Sequence, residues 1–499
     1  MMKQCIKYLL FVVPLVCFGQ VNKTIEGVVF VDENANGIYD SGEQLLSNIG
    51  VSNGQNIVTT DAKGAYKIEK IQNYPVFLIK PSGYISKVDN GRRYFFASDA
   101  ENLKDYSFPL YPNKEPDSLQ VALLGDPQAD IIDDVYHVGK LVVEELVDNK
   151  PDFIVPLGDL SFDNLDIFDP LSKTLGLINS PIFYVMGNHD MDYHQELISN
   201  RDRTFKSFFG PSYYAFEFGE QLFLVLNNIY PTTNKDYVGK IDDMQKEFIN
   251  HLIELKKDQF ETIKIFMHIP VEEMEDKDAF IALFKDFKEV FIATGHTHTQ
   301  YQKYFNREEG KSQVHELVAG AVCGAWWQGP HDLNGIPFAL MYDGTPKGYW
   351  FLDTNKASYK LRYKVSGAPF SKQMQITVPE NREWDTALNV LNEPYIYANV
   401  FSAPPETSVE VSFDENLWIP MELYNGISPV QKRLYKIQEL GRYKNAAIGA
   451  IPKPIHQSKH LWRLNIPTNL AKGVHFIKVR AHSKLNNYSI SDNAVLWIN

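Results

Sequence analysis

The chain has 499 residues, 44% of them hydrophobic, with 62 acidic against 49 basic side chains and a formal net charge of −13. That length is more than one hydrophobic core fills and predicts about three domains of roughly 100–200 residues each. The acidic balance argues against nucleic acid as the main partner and against adhesion to anionic lipid.

The chain opens MMKQCIKYLLFVVPLVCFGQ, with Lys3 and Lys7 ahead of an apolar run that closes at Gly19. This is the pattern of a secretory signal peptide over residues 1–19, too short for a membrane span. It predicts an exported protein, periplasmic, outer-surface or secreted. Val16, before Cys17, is not the small residue that a lipid-anchor cleavage site takes. No later stretch is apolar and long enough to cross a bilayer. Losing the leader removes two lysines, which takes the charge from −13 to −15, and two of the three cysteines. Cys323 then has no partner within the chain, so no internal disulfide is expected and the thiol reads as a small buried apolar group.

Residues 20–112 alternate short β-rich runs (TIEGVVFV, AYKIEKI, VFLIK) with Gly, Asn and Asp turns, which predicts a small β-sandwich. Inside them DENANGIYDSGE, residues 32–43, follows D-x-N-x-N-G-x5-E. Asp32, Asn34, Asn36, the Ile38 carbonyl, Asp40 and Glu43 are its candidate calcium ligands. Its flanks are strand-like, so it is no EF-hand, and an ion-free Asx-rich turn is the alternative. The polar, proline-bearing YPNKEPDS, residues 111–118, reads as a linker.

Over residues 117–366 buried runs alternate with amphipathic helices, an α/β layout with a largely parallel sheet. Val135, Val138, Val142 and Leu146 recur at helical spacing, as do Ile241, Met244, Phe248 and Leu252. The run EEMEDKD, residues 272–278, reads as a solvated helix start. Residues 367–499 return to short strands and predict a second β-sandwich, resembling fibronectin or immunoglobulin architecture.

In open α/β sheets, ligands bind beyond the carboxyl ends of the strands. Here the ends of five of six consecutive strand-like runs hold Asp126 with Gln128, Asp159, Asn188 with His189 and Asp190, His268, and His296 with His298. The sixth ends in Asn227 and Asn228. Any one of these blocks is explained by a turn or a core histidine; their joint placement predicts a metal site.

The ordered set, Asp126-Pro-Gln128, GDLSFD at 158–163, GNHD at 187–190, His268 in FMHIP and GHTH at 295–298, resembles the calcineurin-like metallophosphoesterase family. DENANGIYDSGE and TDAKGAY before it, and GAWWQGPHDLNGIPFALMYDGTPKGYWF after it, resemble the terminal domains of a three-domain bacterial subfamily. The resemblance implies a metallophosphoesterase β-sheet sandwich flanked by helices, between two all-β sandwich domains. It also implies two divalent ions, manganese, magnesium, iron or zinc. Asp126, Gln128 and His298 would hold one ion, Asn188, His268 and His296 the other, and Asp159 would bridge them. Such ions activate a hydroxide and clamp the phosphoryl oxygens during in-line displacement. His189 would steady the phosphate or protonate the leaving oxygen, oriented by Asp163 or Asp190. The departure is Gln128, where the family usually carries His. A neutral amide oxygen weakens that position for zinc and favours manganese or magnesium.

Trp326 and Trp327 follow the motifs in a Gly-rich segment; if it is a strand, at most one faces a substrate and the other is core. The leading expectation is an exported, metal-dependent phosphodiesterase or phosphomonoesterase acting on a small phosphoester, sugar- or lipid-linked substrates included. The alternatives are a catalytically impaired binding or adhesion protein on the same scaffold, for which Gln128 speaks, and a protein phosphatase.

Overall fold

The computed structural model describes residues 23–97, 106–233, 236–307, 310–356, 358–379, 393–415, 417–442, 451–484 and 488–499. The predicted leader lies outside the described residues. Among the described residues no helix is long and apolar enough to cross a membrane.

The N-terminal part is two four-stranded sheets. One runs Ala65–Glu69, Thr24–Val31, Phe108–Pro112, Tyr84–Ile85; the other runs Ile57–Thr59, Gly50–Ser52, Val76–Leu78, Phe96–Ala97. Period-2 patterning builds them: Tyr66 and Ile68 point into the core, while Lys67 on the outer face meets Glu26 at 2.6 Å. The expected linker is no loose tether. Tyr111 and Pro112 still pair with Ile85 and Tyr84, and Glu115 is buried against Lys80 at 2.6 Å. Its carboxylate also accepts from the amides of Gly83 and Gly219, a clamp across both parts of the chain.

The central domain is two facing sheets. The first has the order Phe153–Pro156, Leu119–Leu124, Gly348–Thr354, Tyr359–Val365. The second has the order Tyr214–Phe218, Gln221–Val225, Thr262–Phe266, Glu289–Thr294, Val314–Ala319, Gln300–Phe305. Both are mixed rather than largely parallel, because Gly348–Thr354 returns antiparallel to Leu119–Leu124 and the outer hairpins reverse direction. Segment 181–186 contributes only parallel bridges, Ile154 to Ile182 and Leu157 to Val185. Along Leu119–Leu124, Val121 and Leu123 enter the core between the sheets, while Ala122 and Leu124 enter the helix-covered core on the other face. A strand buried on both faces shows no alternation of polarity, as its sequence shows none. The covering helix begins at Ile132–Val138, widens into a π turn at Gly139–Val143 and closes at Glu144–Asp148; the residues of its predicted apolar stripe are all buried.

The C-terminal domain is a second pair of four-stranded sheets, with an amphipathic helix, Pro429–Glu439, that the sequence reading did not anticipate. It is pinned to the central domain by His460 Nε2 on Asp343 at 3.1 Å and by Gln300 Nε2 donating to the Phe401 carbonyl.

Candidate metal centre

The turns after the central strands converge at one edge of the two sheets. Their backbones are unusual: of sixteen non-glycine residues with positive φ among those described, seven lie here, namely Asp126, Gln128, Asp159, Asp163, His296, His298 and Trp326. Left-handed backbone in non-glycine residues costs roughly 1–2 kcal/mol each, and it collects where function fixes a side chain's direction.

Asp159, His268 and His296 each offer a donor atom within 4.8 Å of the other two. His268 Nδ1 lies 2.8 Å from the Leu157 carbonyl, which makes Nδ1 the donor and leaves Nε2 bare in the neutral ring. Nε2 faces Asn188 Oδ1 at 3.1 Å, Asp159 Oδ2 at 3.2 Å and His296 Nδ1 at 3.2 Å. Lone pairs converging on one point with too few protons to share are what a cation satisfies, so the donor set fits a metal. The second group is looser. His298 Nδ1 donates to the Gly324 carbonyl at 2.6 Å, and Nε2 lies 3.8 Å from Asp126 Oδ1. Asp126 is held by the His296 amide at 3.0 Å. Gln128 is buried, and its Oε1 lies 3.6 Å from the thiol of Cys323.

The electrostatics match that assembly. Burial pulls His296 down to about 3 and His298 to about 4, helped by the charge on His268, so both rings are neutral with a lone pair to give. Burial also acts to lower His268, but the Asp159 carboxylate, with its hydrogen bond, and Asp126 outweigh it and raise the ring to about 9. Burial raises Asp126, whereas for Asp159 it is overcome by His268, His189 and His296, which hold that carboxylate below its usual range. The His268 ring, raised by these carboxylates, sits where a metal charge would otherwise balance them.

The family model described as calcineurin-like phosphoesterase matches residues 119–300, the span that carries these turns. Its N-terminal companion matches residues 33–113, and its C-terminal companion matches residues 316–488. The chain belongs to the calcineurin-like phosphoesterase family. A crystal structure of a dimetal phosphatase from Danio rerio is similar at 13% identity and a TM-score of 0.34, over 51% of this chain and 100% of the other. No curated protein matches the chain.

In this phosphoesterase the structure separates the two carboxylates offered for His189. Asp163 Oδ1 lies 2.9 Å from His189 Nδ1. Asp190 instead turns into the fold: it accepts from the amides of Leu160, Ser161 and Gly187 and from the Ser161 hydroxyl. Burial, with Asp159 nearby, raises Asp190 to about 6. Asp190 is a clamp that joins the GDLSFD and GNHD turns, a correction to its expected role beside His189. Asn228 plays a similar part for His268, accepting from the amides of His268 and Ile269 through Oδ1.

Several neighbours were not anticipated. The Phe162 ring stacks on His189 at 4.7 Å, and Trp326 meets Phe162 edge-on at 5.6 Å and His298 at 6.3 Å. Trp326 is exposed and Trp327 is core, its Nε1 donating to the Pro127 carbonyl at 3.0 Å. Tyr193 donates its hydroxyl to the Asn188 carbonyl at 3.1 Å, and Glu273 lies 3.8 Å from His296 Nε2. Phe162 and Tyr193 lie within or just beyond the quoted motifs, and their position there was the only signal they gave. Cys323 is buried and free, as expected.

The calcium pattern forms a closed turn. Asp32 accepts from the amides of Asn36 and Gly37 and from the Tyr111 hydroxyl. Asp40 Oδ2 accepts from both Asn34 Nδ2 and Asn36 Nδ2, and Glu43 accepts from the amides of Glu33 and Asp40. Ile38 donates its amide to Asn36 Oδ1. An ion here requires both amide groups to turn so that oxygen replaces nitrogen.

Proposed function

We propose that the protein is an exported, metal-dependent hydrolase of small phosphoesters. Asp126, Gln128, Asp159, Asn188, His268, His296 and His298 are the residues that would hold two divalent cations. The observation that carries the reading is the convergence of Asp159, Asn188 and His296 on His268 Nε2, the atom that the neutral ring would offer to a cation. Cations at such a centre supply Lewis acidity toward water and the phosphoryl oxygens. The chain's own residues do the rest. Asp159 Oδ1 accepts from the His189 amide at 2.9 Å, which ties the proton-handling residue to the centre. Asp163 and the Phe162 ring fix the imidazole from one edge and one face, leaving Nε2 to deliver a proton to the leaving-group oxygen. The leaving group then lies along Phe162 and the exposed Trp326, a wall suited to a sugar ring or other partly apolar group.

Asp159→Asn tests this most directly. Bound metal should fall and hydrolysis of mono- and bis-nitrophenyl phosphate should drop by at least a thousandfold, while circular dichroism stays unchanged. Retained metal with wild-type rates would overturn the assignment. The same two substrates, compared in the wild type, separate monoesterase from diesterase preference.

A further inference from the structure

A pocket of about 450 Å³ lies at the seam between the N-terminal sandwich and the central domain. Asn73 and Tyr74 line it from one side, and Met186, Arg201, Tyr213 and Lys240 from the other; none of the residues assigned to metal lines it. Arg201 is only 9% exposed, yet its guanidinium makes no hydrogen bond or ion pair with any described residue, and its buried Nη1 has no partner. Its one ring contact is Tyr193, with the centroid at 5.1 Å. A buried guanidinium nitrogen left without a hydrogen-bond acceptor is costly, and a bound acceptor group would satisfy it.

Three cationic side chains, Arg201, Lys206 and Lys240, line the pocket against two acidic ones, Asp202 and Asp242, a formal balance of one positive charge. Asp202 is held by Lys206 at 2.9 Å and by the Ser212 hydroxyl at 3.1 Å. Asp242 caps the helix Asp243–Lys256, accepting from the Gln245 amide at 2.8 Å. Lys240 lies over the Tyr230 ring at 5.1 Å and forms no ion pair among the described residues. Met186, Met191, Met244 and Ile198 give the remaining wall an adaptable apolar surface.

We propose that this pocket binds an organic oxyanion, a carboxylate or phosphate head held by Arg201 and Lys240 on an apolar body packed against Met186, Met191 and Met244, at a site separate from the metal centre. The two sites are neighbours. Tyr193 carries Arg201 on its ring and the Asn188 carbonyl on its hydroxyl, so one aromatic side chain spans the distance.

The test is calorimetric titration of the full-length protein with phenylphosphonate, an oxyanion on an apolar ring that cannot be hydrolysed. Arg201→Met keeps the length of the stem and removes the charge. It should remove one equivalent of binding, or weaken it at least tenfold, about 1.4 kcal/mol. Asp159→Asn, which disables the metal centre, should retain that equivalent. Binding that survives Arg201→Met unchanged, or vanishes with Asp159→Asn, or is absent from the wild type, overturns the proposal. If Arg201→Met does not fold, Lys240→Met reads the same equivalent, with at least a threefold loss expected and no loss overturning it. Failure of the metal assignment alone leaves one equivalent in the wild type that Arg201→Met still removes. Benzoate in place of phenylphosphonate distinguishes a carboxylate head from a phosphate head.

Discussion

Gln128 is the residue at which the sequence is expected to depart from the family pattern, and its surroundings say what that departure would do. It is buried in a left-handed turn, its amide donates to the Asp159 carbonyl at 2.8 Å, and the Cys323 thiol reaches its Oε1. With Gln128 as an oxygen ligand, Gln128→His should stay active and shift metal preference toward zinc, while Gln128→Leu should lose one metal per chain and most of the rate. Metal analysis beside kinetics checks both; two metals and unchanged turnover in Gln128→Leu would show that the side chain is no ligand. His189→Ala should behave differently, keeping its metal content while kcat falls about 10²–10⁴-fold, because its ring handles protons and not cations. Steady-state kinetics on metal-loaded protein decide that, and a variant with a wild-type kcat would remove His189 from the mechanism.

Among the elements, the strand Val314–Ala319 carries a charge problem of its own. Glu316 is fully buried beside that strand's neighbours; Oε1 accepts from the Val271 amide at 2.8 Å, and Oε2 has no partner. Burial raises its pKa to about 7 from 4.5. Below the lower value both folded and unfolded chains are protonated; as the pH climbs from there to 7 the unfolded chain ionises first, and stability falls. Glu316→Gln should therefore match the wild type near pH 4 and exceed it at pH 8, by up to roughly 3 kcal/mol. Urea unfolding at the two pH values measures it, and a pH-independent difference would reject the explanation. The closed turn at residues 32–43 poses a separate question. Calcium should raise the melting temperature of the full chain, and Asp32→Ala with Glu43→Ala should abolish the rise; without a rise in the wild type, the turn is ion-free. Elements also mark how far the sequence could be read. The blocks that converge at the sheet edge were legible because each follows an apolar run, and the rule that sheets bind at strand ends needs no contact map. The choice of Asp163 over Asp190 was not, since both sit at the right distance along the chain and only the fold decides which carboxylate meets the ring and which meets three amides. The antiparallel return of Gly348–Thr354 was equally invisible, because a strand buried on both faces reads alike in either direction.

For the whole molecule, the boundary between the first two domains is a core and not a hinge. Phe77 meets Phe248 at 5.7 Å, the Tyr213 hydroxyl donates to the Gly54 carbonyl at 2.7 Å, and Lys80 bridges to Phe216 as one more strand contact. Lys80 also spans the seam, donating to the Glu217 carbonyl while pairing with Glu115. The domain limits read from sequence, 20–112, 117–366 and 367–499, follow composition, and composition cannot report that two parts share one apolar cluster. Residues 23–112 expressed alone should fail to melt cooperatively. In the full chain, Glu115→Ala should destabilise by about 3–5 kcal/mol, since it strands the buried ammonium of Lys80. Scanning calorimetry on fragment and variant checks both, and a fragment with its own sharp transition would show that the first sandwich folds independently.

The left-handed turns at the metal centre have a consequence for how such a chain ages under mutation. Glycine at those seven positions relieves backbone strain while erasing a proposed ligand, the Asp163 carboxylate on His189 or the Trp326 ring, so there stability and the proposed catalysis pull on the same codon in opposite directions. A lineage freed from selection for hydrolysis should lose its site from the turns inward, gaining thermal resistance as it does. Relatives with glycine opposite Asp159 or His296 are then to be read as retired enzymes and not as weak ones.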